Sequence, residues 1–549
     1  MDATMNRRGF VSGAALTAGT ALLAGSSAAL ADEASAGWMP AAWDDEADLV
    51  VVGYGGSGAA AAITAAEAGA SVIVLEKSAE RDGGNTGASS GAIHTGTDVD
   101  IDEWAALYAH YSYGEGAPDD QIRLYMEQAN LTPAWCEEVG ISINWNDMDN
   151  NGIQRPAHSK MGMVAGREGS EGRFLFEAID EAAAARNVDV RLSTRAVRLV
   201  QDPATKMVLG VVAQDADGGE LAFKARKGVV LACGGYENNL EMQGCHGIPG
   251  IRFFPWGTPN NTGDGVTMAS AAGAKLWHMA GQEIAALCFT QPSIAANCSI
   301  STDASAGIQP YGYVFVGPDG QRWASEPTVN QNHITGRPRA LDFDGATLEY
   351  SHLPIFMVFD STMFDGESLW RGTGRFGVVN TYAGVYNANH PEAKLLTWDS
   401  NEQALEQGWI FKGETLEELA ANVRGTRPSG EQVEGIDAAA LAATVAAFNE
   451  GCETGEDPFG RDPQKSEPLA NPPFYAIEMS FSTINTQGGP ERNGRCETIG
   501  VDGQPIPHLY NAGELGSFNG LAYTVGNILE ALTTGRIAAT SALENEPWE

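Results

Sequence analysis

The run Gly53-Tyr54-Gly55-Gly56-Ser57-Gly58 has the spacing G-x-G-x-x-G. An acid, Glu76, follows about 20 residues on, as a dinucleotide site requires. Gly53 permits a tight turn, Gly55 lets the backbone approach a pyrophosphate, and Gly58 lets a helix pack close to a strand. Gly56 and Ser57 complete the loop, where a helix N-terminus offers N–H groups and a dipole to phosphates. Glu76 can accept hydrogen bonds from ribose hydroxyls, and Lys77 follows it. A second glycine- and hydroxyl-rich loop comprises Gly83-Gly84-Asn85-Thr86 and Ser89-Ser90-Gly91. Similar runs recur at Gly234-Gly235, Asn261-Thr262-Gly263-Asp264-Gly265, Gly513-Glu514 and Gly526-Asn527-Ile528-Leu529. Segments spread this widely suit a long, buried flavin dinucleotide better than a cofactor held by one compact unit.

The elements that must position these residues are legible nearby. Asp48-Leu49-Val50-Val51-Val52 reads as a strand, Ala59 to Ala68 as a small-residue helix, and Ser71 to Leu75 as a second strand. Phe174 to Ala185 reads as an amphipathic helix, followed by strands at 189–192, 196–200 and 207–214. Val229 to Cys233 reads as a strand closing on Gly234 and Gly235.

Hydrophobic residues make up 43% of the chain and charged residues 19%, which supports a folded core and excludes disorder. A formal charge of −38 excludes nucleic acid as a partner and disfavours an anionic membrane surface. The seven cysteines contain no C-x-x-C pair, so neither a metal site nor an iron–sulfur cluster is expected. Residues 1–31 read as a twin-arginine signal peptide. Arg7-Arg8 precedes a modestly apolar stretch, and Ala29-Leu30-Ala31 forms a cleavage site. The protein is therefore expected outside the cytoplasm, with no membrane anchor, since the apolar run is too short to span. The signal carries Arg7, Arg8 and Asp2, a net +1, so its removal leaves −39.

Taken together, these motifs resemble the FAD-binding flavoproteins grouped with soluble fumarate reductase, urocanate reductase and 3-ketosteroid Δ1-dehydrogenase. The shared residues are the Gly53–Gly58 run, Glu76-Lys77, Gly84-Asn85-Thr86, Leu231 to Gly235 and Gly263-Asp264-Gly265. Further matches are Gly317 to Trp323 with Glu326, Gln487-Gly488-Gly489, and Tyr510 to Ala538. The resemblance implies an α/β fold, with a discontinuous Rossmann-like FAD-binding domain at 44–240 and 360–549. An inserted α+β capping domain at 241–359 would close over the flavin. It places the backbone of Val197 near the adenine, and Asp264, Glu514 and Asn527-Ile528-Leu529 around the isoalloxazine and ribityl chain. FAD is expected to be non-covalent, because His94 has poor spacing for an attachment site.

The substrate positions depart from the dicarboxylate reductases. Where those enzymes carry a substrate-binding His, this chain has Asn485, and where they carry a carboxylate-binding Arg it has Tyr523. The segment Phe359 to Phe364 holds no Arg, and Glu326 is followed by Pro327-Thr328-Val329-Asn330. Fumarate is disfavoured, since a dianion without paired cations is not readily desolvated. A Tyr also stands near this place in the ketosteroid dehydrogenases, so Tyr523 is the first catalytic candidate, as donor to a carbonyl or of a proton. His333, Arg337, Arg339, Tyr311 and Tyr313 are further polar candidates in the capping segment.

The expected activity is reduction of a C=C bond conjugated to a carbonyl, in an enoate or enone. Electrons would come from an external donor, a small cytochrome or a quinol-linked protein. The alternatives are desaturation of a ketosteroid-like substrate and flavin-based electron transfer without catalysis.

Overall fold

The computed structural model describes residues 38–96, 100–111, 116–147, 159–166, 172–255, 257–288, 312–326, 340–365, 400–520 and 526–549. The signal segment at 1–31 lies outside them.

The strand Asp45–Val52 is β-branched and its last four residues are buried. It pairs in parallel with Val72–Leu75 on one side and Glu220–Leu231 on the other. Asp189–Arg191 extends this sheet beyond Val72–Leu75, and Pro505–Asn511 extends it beyond Glu220–Leu231. Glu497–Ile499, Arg195–Gln201 and Val208–Gln214 complete eight strands. Buried parallel strands need cover on both faces, which explains their continuous Val and Leu runs.

Gly56–Glu67 covers one face and is buried almost all round, because the last helix, Asn527–Leu543, packs upon it. The contact is close: a Cβ on Gly535 would lie 2.2 Å from the Ser57 carbonyl oxygen. This is why the first helix is built of Ala and Gly. The expected amphipathic helix forms over Gly172–Ala184.

A second, six-stranded sheet is built around Phe474–Thr486, which pairs with Phe254–Pro255, Gln282–Cys288, Ile355–Asp360 and Phe411–Gly413. Tyr313–Val316 adds to Ile355–Asp360. The segments Ile355–Asp360 and Phe411–Gly413 both belong to this second sheet. The strand Phe474–Thr486 buries Tyr475, Ile477, Met479 and Phe481 in one cluster and Ala476 in another. It therefore needs a layer on each face. The helices Leu416–Asn422 and Ala438–Thr454 supply part of one layer. The chain rejoins the dinucleotide sheet only after Thr486.

Two further features hold the second layer and the loops beside the cavity. Glu326 is fully buried between Arg322 and Arg461, with Arg322 also bonded to Asp457. Arg492 and Glu530 form a second buried ion pair beneath the segment 513–519.

Candidate active site

A cavity of about 640 Å³ runs along the ends of the parallel strands, within the usual range for a ligand site. Of the expected cofactor residues, Gly53, Gly55, Gly56, Ser57, Glu76, Lys77, Gly84, Asn85, Thr86, Ser89, Gly234, Asp264, Glu514, Asn527 and Ile528 line it.

The glycines divide by role. Gly53 has φ +100°, and a Cβ there would lie 2.4 Å from the Ala232 carbonyl oxygen. A Cβ on Gly58 would lie 1.9 Å from the Gly53 carbonyl oxygen. Both are needed by the protein's own packing. Gly55 differs: its φ of −86° suits any residue, and a Cβ would meet only the Gly83 carbonyl oxygen at 3.4 Å. Its open side faces the cavity, at the N-terminus of Gly56–Glu67, where phosphates are held. The Gly56 N–H donates to Thr86 Oγ1 at 3.1 Å, which ties the two glycine loops together.

At one end, Glu76 accepts from the backbone N–H of Tyr54 and of Ser78, both at 2.7 Å. Burial raises its carboxyl above the usual range, against these two bonds. Asp264 stands at this same end. Its carboxylate takes two bonds from Arg195, at 3.0 and 2.8 Å, and one from Lys77 at 3.1 Å. Burial raises Asp264, but Arg195 and Lys77 outweigh it and hold the carboxyl below its usual range. Arg195 and Ala196 line the cavity. The Val197 side chain instead joins the Trp38 and Trp43 cluster. The register slips by one between Ala196 and Arg198, so Val197 is an extra, bulged residue. A bulge leaves that residue outside the ladder, so its backbone N–H and C=O are available to a ligand.

The other end is lined by amides. Asn85 Nδ2 donates to Glu237 and to Glu514, Asn261 Nδ2 does the same, and Asn485 Nδ2 donates to Glu514. Asn527 Nδ2 donates to Gln487 Oε1 at 3.3 Å. Asn485 Oδ1, Gln487 Nε2 and Asn527 Oδ1 are buried and have no hydrogen-bond partner among the described residues. Gln487 Nε2 can donate to one carbonyl of a flavin pyrimidine ring, and an amide oxygen, Asn485 Oδ1 or Asn527 Oδ1, can accept from its single N–H. The helix Asn527–Leu543 begins here with no side-chain cap, so its first N–H groups and dipole favour negative charge at this end. Met161, Met163 and His94 form a side wall, from a small sheet of Ile93–Gly96, Ser159–Val164 and Ile143–Asp147.

Several expected residues stand elsewhere. Gly58, Gly91, Gly235 and Gly526 shape the loops without lining the cavity, and Leu529 is fully buried in the core between sheet and helices. A Cβ on Gly235 would lie 2.3 Å from Thr486 Oγ1, so this glycine serves close packing. Tyr313 is buried in the second sheet with the Arg461 guanidinium over its ring, away from the cavity. Tyr523, His333, Arg337, Arg339 and Tyr311 lie outside the described residues. Asn261 and Gln487 stand in runs that the sequence marks, whereas Glu237 and Arg195 stand in none; Glu237 is an acid just beyond the strand that closes on Gly234-Gly235.

A parallel sheet with a glycine-cradled cavity along its strand ends and an amide-lined far end defines a flavoprotein oxidoreductase. The chain belongs to the FAD binding domain family, which matches residues 48–529. A digoxin reductase of Eggerthella lenta is 28% identical, over 99% of this chain and 98% of its own. A vinyl phenol reductase of Lactiplantibacillus plantarum is 26% identical, over 86% of this chain and 91% of its own. Among solved structures, the 3-ketosteroid-Δ4-(5α)-dehydrogenase of Rhodococcus jostii is similar at a TM-score of 0.61 and 25% identity. That match covers 93% of this chain and 99% of the dehydrogenase. The protein is an FAD-dependent oxidoreductase acting on CH–CH groups.

Proposed function

We propose that the protein is an exported reductase of a C=C bond conjugated to a carbonyl, acting on substrates less charged than fumarate. The observation that carries this reading is that no Lys or Arg side chain stands at the far end of the cavity among the described lining residues. Among the described lining residues, the Lys and Arg side chains are Lys77 and Arg195, and both are paired with Asp264 at the Glu76 end. Asn485 directs its amide N–H to Glu514, and so offers a substrate no charge. Glu326, the acid nearest to a proton relay in the fumarate-type pattern, is enclosed by Arg322 and Arg461 within the second sheet. The digoxin and vinyl phenol reductases support reduction of a C=C bond on something other than fumarate.

Bound FAD supplies the hydride for such a reaction. The chain's part is to favour negative charge at the ring end through the N-terminus of Asn527–Leu543, and to deliver a proton. Tyr523, four residues before Asn527 in the sequence, is the proposed proton donor or carbonyl partner, with His333, Arg337 and Arg339 as further candidates. Tyr523→Phe is expected to keep FAD and lose about 10²–10⁴-fold in turnover, the usual share of a general acid. Unchanged turnover with FAD retained would exclude the role.

The direction is tested by anaerobic stopped flow. Photoreduced enzyme should be reoxidised by enones and aromatic enoates. Bleaching of oxidised enzyme by a saturated ketone, without that reoxidation, would instead establish the desaturase reading that the ketosteroid dehydrogenase fold supports. The electron donor is proposed to be a small basic cytochrome or quinol-linked protein, steered by the −39 charge of the processed chain. Its rate should fall as salt rises. Export by residues 1–31 and non-covalent FAD complete the reading. Mass spectrometry should find Asp32 at the N-terminus, and acid precipitation should leave the yellow colour in solution. No helix among the described residues is long and apolar enough to cross a membrane.

A further inference from the structure

Glu237 and Glu514 are buried together at the amide-lined end of the cavity, at 0% and 9% exposure. Glu514 lines the cavity and Glu237 stands behind it. Asn85 Nδ2 lies 2.8 Å from Glu237 Oε1 and 3.0 Å from Glu514 Oε1. Asn261 Nδ2 lies 2.8 and 2.5 Å from the same two oxygens. Each amide thus bridges both carboxylates. The remaining donors are the Gly235 N–H and Asn485 Nδ2 on Glu514, and Thr486 Oγ1 on Glu237. Every one of these donors is neutral, and no ion pair reaches either acid among the described residues.

The surrounding charges do not compensate. Glu283 lies opposite Asn485 on the neighbouring strand. Tyr236 donates to the Met279 carbonyl, and burial raises both Tyr236 and Cys233. Asp82 caps the Gly84 N–H, and Asp264 is closed off by Lys77 and Arg195. Behind the segment 513–519, Arg492 is paired with Glu530, and His278 Nδ1 bonds the Ser517 carbonyl. Two carboxylates this close, held only by neutral donors, cannot both ionise at neutral pH, so one proton resides on the pair. Burial raises both acids, and for Glu237 the charge of Glu514 adds to the effect.

We propose that Glu237 and Glu514 form a one-proton site that balances the charge of bound FAD. The pair holds one proton while FAD is oxidised and takes up a second from solvent when two electrons reduce it. The electrons come from the external reductant, and the only bond formed on the chain is the new O–H. Glu514 lines the cavity that FAD would occupy, and Glu237 acts through it as a positioning residue. The inference rests on FAD occupancy alone and is independent of which substrate is reduced.

Potentiometric titration of the holoenzyme across the neutral pH range tests it. In a two-electron couple, each coupled proton adds ~30 mV per pH unit to the slope of midpoint potential against pH. Measured on the holoenzyme of each, wild type should be steeper than the double variant Glu237→Gln/Glu514→Gln by that amount, because a single substitution leaves one carboxyl able to take up the proton. Equal slopes would overturn the proposal. Should the double variant fail to retain FAD, reduced-minus-oxidised infrared spectra of wild type decide the matter. A gain in the deuterium-sensitive carbonyl stretch of a protonated carboxylic acid supports the site, and its absence overturns it.

Discussion

Gly58→Ala is expected to purify colourless and unstable, whereas Gly55→Ala is expected to fold normally and bind FAD weakly. The added Cβ at Gly58 meets a backbone oxygen at 1.9 Å, so the helix Gly56–Glu67 must move away from the strand Asp45–Val52. The last helix cannot yield to it, because Gly535 already lies against Ser57. Overpacking of this kind costs about 1–3 kcal/mol, and it also displaces the N–H groups that hold the phosphates. At Gly55 the backbone is extended and the nearest atom is 3.4 Å away, so the empty protein accommodates the methyl group. The space it takes is that of the pyrophosphate. A similar clash, now with the ligand, translates to roughly 5- to 150-fold in affinity. Thermal melts of apoprotein and FAD titrations by fluorescence quenching separate the two. Equal stability of the two apoproteins would refute the division of roles.

Arg492→Met is expected to have the largest effect on stability, about 3–5 kcal/mol, read as a lower denaturant midpoint. The Arg492 guanidinium is fully buried, pairs with Glu530, and donates to the Gly513 and Leu515 carbonyls at 3.0 and 3.2 Å. Glu530 in turn accepts from Ser517 Oγ, the Phe518 N–H and Asn519 Nδ2, at 2.6, 2.8 and 2.9 Å. Removing the cation leaves a buried carboxylate with neutral donors only. The segment 513–519 then loses its anchor, and Glu514 within it loses its fixed position at the cavity. FAD affinity should fall together with stability. Arg492→Lys should recover part of the stability, since it keeps the charge but not the double bond to the two carbonyls. A midpoint unchanged in Arg492→Met would show that the ion pair contributes nothing net.

The dinucleotide half was legible because its requirements are local. A turn at φ +100°, a helix start and a strand-end acid are each set by residues within one short segment, so Gly53, Gly55, Gly58 and Glu76 could be assigned from spacing. The family followed from the order of such segments. Other features depend on which distant residues meet. Asp264 carries nothing in its own segment to show that Lys77 and Arg195 would draw it to the Glu76 end. The strand Phe474–Thr486 alternates two apolar faces, but its partners lie over 100 residues earlier, at Ile355–Asp360 and Gln282–Cys288.

The chain by itself determined the phosphate cradle and the FAD class, because residue identity and spacing decide those. Only the tertiary structure decided where charge is held. The pair Glu237 and Glu514 and the amides of Asn85, Asn261 and Asn485 come from five separate segments. Burial and mutual repulsion, which shift a carboxyl's proton affinity, exist only once folding has brought those segments together and excluded water.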